Sequence, residues 1–152
     1  MALASAVCLP MSGTAATAAP ACTISGTSGS NVLVGTSGND VICGKGGNDK
    51  TFGQGGDDRI YGGSGSDTLE GGSGSDTIHG QGGNDRIWGD GETNSLFGEA
   101  GSDQIVAKGN NDFVYGGIGN DKCLSVKDTG SGDHLDGGRG PTTTSRARST
   151  SP

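Results

Sequence analysis

Hydrophobic residues recur at every ninth position through most of this chain. From residue 26 to residue 124 the sequence divides without a gap into eleven units of nine residues, of which GGSGSDTIH and GQGGNDRIW are examples. The first and fourth places of a unit are usually glycine, the sixth is usually aspartate and the eighth is usually aliphatic. The eighth places hold Leu33, Ile42, Thr51, Ile60, Leu69, Ile78, Ile87, Leu96, Ile105, Val114 and Cys123. Such a strict repeat predicts one small structural unit stacked many times.

Each unit predicts a turn of six residues followed by a strand of three. Glycines at the first and fourth places allow the positive φ angles of a tight turn. Side chains alternate along a strand, so an inward eighth residue leaves the seventh and ninth residues pointing outward. The outward places agree, because they hold pairs such as Arg59 with Tyr61 and Thr77 with His79. One unit buries a single side chain, so we expect the units to be stable only when stacked as a solenoid.

Composition supports a solenoid over an ordinary globular core. Glycine accounts for 33 of 152 residues, and only 29% of the residues are hydrophobic and 4% aromatic, which is too little for a two-layer core. Without the repeat this composition would indicate disorder. The net charge of −7 disfavours nucleic acid and anionic membranes as partners and favours a cationic one. No segment approaches the roughly 20 apolar residues of a membrane span.

Carboxylates occupy one fixed place of the repeat. The sixth place holds Asp40, Asp49, Asp58, Asp67, Asp76, Asp85, Asp103, Asp112 and Asp121, with asparagine only at Asn31 and Asn94. Aspartate and glycine also form many metal-free turns. Asparagine would serve a turn equally well, however, without stacking like charges that destabilise the fold unless they are neutralised. The regular aspartates therefore favour a cation site.

The units resemble the RTX, or haemolysin-type, calcium-binding nonapeptide G-G-x-G-x-D-x-U-x. The resemblance covers about two thirds of the chain and implies an all-β fold, a right-handed parallel β-roll of about five and a half coils with two units per coil. In that family the turns form two rails, and calcium lies between stacked turns of one rail. Its ligands there are aspartate carboxylates and backbone carbonyl oxygens, which suit a cation that takes six to eight oxygens.

The resemblance divides the sixth-place residues between two rails. One rail holds Asp40, Asp58, Asp76, Asn94 and Asp112, and the other holds Asn31, Asp49, Asp67, Asp85, Asp103 and Asp121. We expect about six calcium sites, at the pairs Asp40/Asp58, Asp58/Asp76, Asp49/Asp67, Asp67/Asp85, Asp85/Asp103 and Asp103/Asp121. The unit GDGETNSLF has Glu92 and Asn94 at the fourth and sixth places, so we expect it to bind weakly or not at all. The unit AKGNNDFVY, with Ala107 and Asn110, is also expected to bind weakly through Asp112.

The charge balance predicts a fold that depends on its ions. Residues 26–124 contain 14 acidic and 6 basic residues, a balance of −8. Successive sixth-place carboxylates lie one coil apart, at a spacing of roughly 4.8 Å. We therefore expect the calcium-free chain to be expanded, and calcium binding to supply folding free energy.

The two ends of the chain differ from the repeats. Residues 1–21 are uncharged, rich in alanine and end in Ala19-Pro20-Ala21, an A-x-A pattern that signal peptidase could cut. This segment lacks a basic start, so either the true start lies upstream or the segment is a disordered leader. Calcium-dependent folding favours a secreted, extracellular protein. Residues 22–25 would form an N-terminal cap, 125–140 a degenerate C-terminal repeat and 141–152 a disordered tail, which fits either a truncated product or a natural end.

The cysteines leave one question open. Cys22 and Cys43 are 21 residues apart, slightly more than one coil of 18 residues, so they either form a disulfide between the cap and the first coil or remain two free thiols. Cys123 occupies an inward place and is predicted to be a small core residue. Cys8 would leave with the leader.

No catalytic constellation is apparent in the sequence. His79 and His134 lack the neighbours of a zinc motif, and no G-x-S-x-G elbow is present, so we do not expect an enzyme. One alternative is a calcium-dependent folding or secretion module derived from a larger exported protease, lipase or toxin. Another is an adhesin or ice-binding solenoid, which mixed outward places such as Lys50 and Phe52 disfavour. A protein or glycan partner for the outward aromatic residues is a further hypothesis.

Overall fold

The computed structural model describes residues 21–126, 133–141 and 143–147, and in these residues all regular structure is β-strand. The strands are β1 (Ile24–Ser25), β2 (Val32–Val34), β3 (Val41–Gly46), β4 (Lys50–Gly55), β5 (Arg59–Ser64), β6 (Thr68–Ser73), β7 (Thr77–Gly82), β8 (Arg86–Trp88), β9 (Ser95–Ala100), β10 (Gln104–Lys108), β11 (Phe113–Ile118), β12 (Lys122–Val126), β13 (His134–Asp136) and β14 (Thr143–Ala147). Strands β2 to β12 correspond one to one with the eleven nonapeptide units. The predicted all-β fold is confirmed.

Successive strands along the chain belong alternately to two parallel sheets. The odd-numbered strands form one seven-stranded sheet in the order β1-β3-β5-β7-β9-β11-β13, and the even-numbered strands form the other. Each strand pairs with the strand two further along, as Ile42 does with Ile60 and Thr51 with Leu69, so one coil contains 18 residues. The result is a β-solenoid of about six turns. This slightly exceeds the five and a half coils predicted, because β1, β13 and β14 lie outside the eleven units.

The strands are longer, and the turns shorter, than the repeat predicted. Seven of the fourteen strands span six residues, as in Val41–Gly46 and Thr77–Gly82, so they continue through the first three places of the next unit. Only the fourth to sixth places remain as a turn. The prediction of a six-residue turn and a three-residue strand is therefore wrong except for the short strands β2 and β8. The glycine-rich places join the sheet, as Lys45 does by pairing with Gly63, because backbone hydrogen bonds require no particular side chain.

In the regular units, positive φ angles occur at the second and fourth places and not at the first and fourth. The fourth-place glycines with positive φ are Gly47, Gly56, Gly65, Gly74, Gly83, Gly101 and Gly119. At the second place even non-glycine residues have positive φ, including Lys45 at 77°, Gln54 at 76° and Glu99 at 71°. No first-place glycine in the described residues has a positive φ, so the prediction is wrong for that place. Glycine is needed there for a steric reason that involves the aspartate side chain.

The eighth-place side chains form one buried line between the two sheets. Leu33 is 9% exposed, and the other ten, from Ile42 to Cys123, are at most 1% exposed. The seventh and ninth residues on either side are more accessible, as the strand containing Ile78 illustrates. Each nonapeptide strand thus buries a single side chain at its eighth place, worth roughly 2 kcal/mol where it is leucine, isoleucine or valine. The hydrophobic contribution is small for a chain of this length, so other interactions must hold the coils together.

Thr51 is the one hydroxyl-bearing residue in this line, and its Oγ1 is buried without a hydrogen-bond partner. Its neighbours in register are Leu33 and Leu69. Replacing Thr51 by valine keeps the shape and removes the unpaired hydroxyl, so we expect the free energy of unfolding to rise by about 1 kcal/mol. Thermal unfolding in saturating calcium measures this effect. Thr68→Val, at a half-buried outward place, is the control and should change little; a Thr51→Val protein no more stable than wild type would contradict the prediction.

The N-terminal end of the roll is covalently tied to its first full coil. Cys22 and Cys43 form a disulfide with their Cα atoms 5.9 Å apart, which decides between the two states left open by the sequence. Cys123 is a buried free thiol, as its inward place predicted. Cys8 and the rest of residues 1–20, where most of the expected leader lies, are outside the described residues.

After β12 the solenoid continues without the strict repeat. Strand β13 pairs with β11 so that Val114 lies opposite Leu135, a separation of 21 residues where the repeats have 18. Strand β14 pairs with β12, although its residues fall in the segment expected to be a disordered tail. An open sheet edge offers unpaired backbone groups, and a threonine-rich segment can meet them without the nonapeptide pattern. The described residues contain no helix long and apolar enough to cross a membrane.

Candidate metal centre

The sixth-place side chains lie in two columns, which we name by the sheet they lead into. The first column precedes the odd-numbered strands and contains Asp40, Asp58, Asp76, Asn94 and Asp112; the second precedes the even-numbered strands and contains Asn31, Asp49, Asp67, Asp85, Asp103 and Asp121. Within a column, Oδ1 of each side chain after the first accepts the backbone N–H of the sixth-place residue one coil earlier. Asp58 donates to Asp76 in this way at 2.9 Å, and Asp49 donates to Asp67 at 2.7 Å. The predicted site residues are thus brought together as two continuous stacks.

Seven of the remaining carboxylate oxygens have no hydrogen-bond partner in the protein. The buried Oδ2 atoms without a hydrogen bond include those of Asp49, Asp58, Asp67, Asp76, Asp85, Asp103 and Asp121, and each of these residues is 1% exposed. The salt bridges of the described residues, His79–Glu99 and Lys108–Asp90, involve none of these seven aspartates. Buried carboxylate oxygens without a donor or a counter-charge are strongly unfavourable. The two columns therefore have the chemistry of cation sites.

Glycine at the first place leaves room for these oxygens. A Cβ added to Gly53 would lie 2.3 Å from Asp58 Oδ2 and 2.3 Å from the carbonyl oxygen of Gly71. A Cβ added to Gly71 would lie 2.3 Å from Asp76 Oδ2 and 2.8 Å from the carbonyl oxygen of Gly89. Any side chain at these places would collide with both oxygens. In the regular units the first-place glycine thus opens a small cradle, formed by a carboxylate oxygen of its own turn and a carbonyl oxygen one coil later.

The repeats match a known family along most of the solenoid. Copies of the RTX calcium-binding nonapeptide repeat match residues 23–51, 52–87, 61–96 and 88–123, which together cover about two thirds of the chain. The chain belongs to the RTX calcium-binding nonapeptide repeat family. No curated protein and no solved structure matches it. RTX repeats in a β-solenoid indicate a calcium-binding β-roll, and the matched repeats are structural elements with no catalytic part.

Burial raises the pKa of several carboxyl groups in each column of the RTX roll. The pKa of Asp85 rises from 3.8 to about 7 because it is buried and because the carboxylates of Asp103 and Asp67 lie above and below it. Burial also raises the pKa of Asp76 and of Asp103 to about 6, and shifts the pKa of Asp58 upward. The backbone N–H donors oppose these shifts without cancelling them. A divalent cation beside the carboxylates would reverse the effect by favouring their charged form.

The RTX carboxylates follow one another in a line and do not converge on a point. Among the described residues, no three His, Cys, Asp or Glu side chains are grouped as a metal site. Calcium takes six to eight oxygen ligands, so two aspartates of a column would have to be joined by backbone carbonyl oxygens such as those of the glycine cradles. The residues present fit calcium in this way. They do not suit zinc, which prefers nitrogen and sulfur ligands.

A second hydrogen-bond ladder, which the sequence analysis missed, runs beside the aspartates. Side-chain oxygens at the fifth place accept the backbone N–H of the fifth-place residue one coil later, as Asn48 does from Ser66 at 2.9 Å and Asn84 from Ser102 at 2.7 Å. The signal was present, because every fifth place bears a short oxygen-containing side chain: Ser30, Asn39, Asn48, Asp57, Ser66, Ser75, Asn84, Thr93, Ser102, Asn111 and Asn120. This ladder runs opposite to the aspartate ladder, so the turns that form it are bonded to the coils on both sides; at Thr93 the hydroxyl instead donates to the carbonyl oxygen of Asn110.

The first column changes its chemistry at Asn94. The side chain continues the ladder, because its Oδ1 accepts the N–H of Asp76 at 2.9 Å, but its Nδ2 donates to the carbonyl oxygen of Asp90 at 2.6 Å. In this unit the positive φ glycine is Gly91, one place earlier than in regular units. Lys108 Nζ also lies 2.5 Å from Asp90 Oδ1. The amide group of Asn94 thus replaces the free carboxylate oxygen, and weak or absent calcium binding at this turn stays a prediction.

Outward aromatic rings stack along one sheet. Tyr61, His79 and Phe97 occupy ninth places on successive coils, with ring centroids 5.1 and 4.8 Å apart and nearly parallel planes. His79 Nδ1 lies 2.7 Å from Glu99 Oε1. The rings cover one another's faces and leave only edges outward, which supports a role in packing the coils together. A glycan or protein partner at this surface stays a hypothesis.

Proposed function

We propose that this chain is an exported, non-catalytic calcium-binding β-roll whose folding is driven by several Ca²⁺ ions held between stacked turns. The observation that carries the proposal is the set of seven buried aspartate oxygens, distributed over the two columns, that have no protein partner. Bound calcium would supply the positive charge and the oxygen coordination that these groups lack. Successive aspartates of one column are the proposed ligands, together with carbonyl oxygens of the glycine-rich turns.

The proposed coupling of binding and folding follows from the energetics of the roll. Its hydrophobic core is one side chain wide, and its excess of acidic over basic residues in the repeats is eight. In the unfolded chain the carboxylates separate and are hydrated, so stacking them is unfavourable unless a cation is bound. Calcium binds the stacked turns and not the separated ones, and its binding free energy then becomes folding free energy.

Export is supported by two features of the chain. The disulfide between Cys22 and Cys43 suits an oxidising compartment, and residues 1–21 end in a pattern that signal peptidase accepts. Extracellular calcium modules work at roughly 10⁻⁴ to 10⁻³ M calcium. Outside the cell, therefore, calcium would be available to fold the roll after secretion.

Asp67→Asn tests the ligand assignment. Asp67 lies between Asp49 and Asp85 in the second column, so it belongs to two proposed sites. The variant keeps Oδ1 for the backbone ladder and replaces the negatively charged oxygen by an amide. We expect it to bind about two fewer calcium ions than wild type, counted by calorimetric titration and native mass spectrometry. Asp121→Asn, which has an aspartate neighbour on one side only among the proposed pairs, should lose about one.

Asp57→Asn is the matched control for these variants. Asp57 lies next to the column at an exposed fifth place, and its Oδ1 accepts the N–H of Ser75 at 2.9 Å. The same change of charge there should leave the number of bound ions unchanged. Equal ion counts in wild type and Asp67→Asn would refute the column assignment, and a wild-type protein that binds no calcium would refute the proposed function.

A further inference from the structure

The first two RTX turns have a different backbone from the regular ones. Regular turns have a lysine, glutamine, glutamate or glycine with positive φ at the second place, as at Lys45 and Gln54. Thr27 and Thr36 occupy that place in the first two units, and neither has a positive φ. Threonine is β-branched, and such residues strongly disfavour the left-handed region. The second-place N–H of these turns consequently points at the sixth-place side chain.

Thr36 closes its turn by donating hydrogen bonds to the side chain of Asp40. The backbone N–H of Thr36 donates to Asp40 Oδ2 at 2.7 Å, and the hydroxyl of Thr36 donates to the same oxygen at 2.9 Å. The hydroxyl of Thr23 donates to Asp40 Oδ1 at 3.1 Å. Asp40 is therefore unlike the seven aspartates with a free Oδ2, because three donors already surround its carboxylate. Donor hydrogens occupy the positions from which a cation would approach.

The preceding turn makes the same closing bonds without a carboxylate. Thr27 donates to Asn31 Oδ1 from its backbone N–H at 2.6 Å and from its hydroxyl at 3.1 Å. In both turns the threonine hydroxyl also accepts the N–H of the fourth-place glycine at 3.2 Å. A neutral amide thus satisfies this geometry as well as an aspartate does. Closure by threonine requires neither a negative charge nor a metal ion.

We propose that these two turns form a calcium-independent N-terminal cap, in which Asp40 accepts closing hydrogen bonds and does not ligate calcium. The inference rests on the proposed function and refines it, because it removes Asp40/Asp58 from the six proposed pairs and leaves five. The cap occupies the same coils as the disulfide between Cys22 and Cys43. The end of the roll, where no further nonapeptide turn is stacked, is then held by covalent and hydrogen bonds alone.

Asp40→Asn tests this cap directly. The variant copies the chemistry that Asn31 shows one unit earlier, so we expect the same number of bound calcium ions as in wild type and an unchanged thermal midpoint in calcium. Asp58→Asn is the control, since it lies next in the same column and has a free Oδ2. It should lose at least one ion. Native mass spectrometry in calcium counts the ions, and thermal unfolding followed by circular dichroism gives the midpoint.

A second variant reports on the closing bonds themselves. Thr36→Val keeps the β-branched shape and removes the hydroxyl donor, so we expect a midpoint lower by a few degrees with the ion count unchanged. Loss of an ion in Asp40→Asn, or a changed count in Thr36→Val, would overturn the cap while leaving calcium binding intact. A wild-type roll that binds no calcium would instead remove the proposed function on which the cap depends.

Discussion

In excess EGTA at neutral pH the roll is expected to lose its β structure, and millimolar calcium is expected to restore it. Seven buried carboxylate oxygens without partners lie in columns whose members are one coil apart, roughly 4.8 Å. The interactions that oppose this repulsion include one buried side chain per strand and the two ladders of hydrogen bonds that the sixth-place and fifth-place side chains form with the backbone. Each ladder bond contributes only about 1 kcal/mol because water replaces it in the unfolded chain. Without the cation, the conformational entropy that the glycine-rich chain gains on unfolding should exceed these contributions, so the unfolded state should be favoured.

Far-UV circular dichroism and the thiol of Cys123 together measure this transition. Burial raises the pKa of Cys123 to about 11, so in the folded roll it should react very slowly with a thiol reagent. In EGTA the reaction should become fast. A Cys8→Ser background makes Cys123 the only free thiol, because Cys22 and Cys43 are in the disulfide.

Magnesium is the matched control for calcium. It demands a small octahedral site and gives up water reluctantly, so the same concentration of magnesium should restore neither the spectrum nor the protection of Cys123. A β-rich spectrum and a protected thiol in EGTA at neutral pH would disprove the dependence of folding on calcium. Recovery with magnesium would show that the columns respond to charge alone, without calcium-type coordination.

The nine-residue repeat predicts the features of the roll that depend on side chains, but not those that depend on backbone geometry. Inward eighth places and columns of aspartates follow from a nine-residue period because each position recurs in the same surroundings. Positive φ at Lys45 and Gln54 leaves no signal in residue type, since neither residue favours that region. The six-residue strands were missed for a similar reason, because the glycine-rich places pair through their backbones.

Two further features of the structure are visible as patterns in the sequence but cannot be interpreted from the sequence alone. The fifth-place ladder is visible in the sequence as an unbroken series of serine, asparagine, aspartate and threonine, but its role requires knowing that residues 18 apart lie side by side, as Asn48 and Ser66 do. The threonines at the second places of the first two units also differ from the later repeats. Their role depends on the hydrogen bonds from Thr36 to Asp40, which the residue types alone do not specify.

In the absence of calcium, lowering the pH from 8 to 5 is expected to restore part of the β structure. The metal-free roll has carboxyl groups with raised pKa values, about 7 for Asp85 and about 6 for Asp76 and Asp103, against 3.8 ordinarily. A raised pKa means that the folded state holds protons that the unfolded chain has already released. The stability due to these groups is therefore complete below pH 4 and is lost as the pH rises to about 7. This is opposite to ordinary acid denaturation, and it makes protons a partial substitute for calcium.

Circular dichroism in EGTA between pH 5 and pH 8 tests this sign, at low protein concentration because the isoelectric point is about 4.5. In Asp85→Asn the group that titrates highest is absent, so the loss of structure between pH 6 and pH 7 should be smaller than in wild type. Glu92→Gln, which removes an exposed carboxylate, should follow the wild-type curve. In calcium the dependence should reverse, because protons compete with the ion for the same oxygens and weaken its binding as the pH falls. Metal-free protein that gains structure as the pH rises would show that the stacked carboxylates are not the groups opposing the fold.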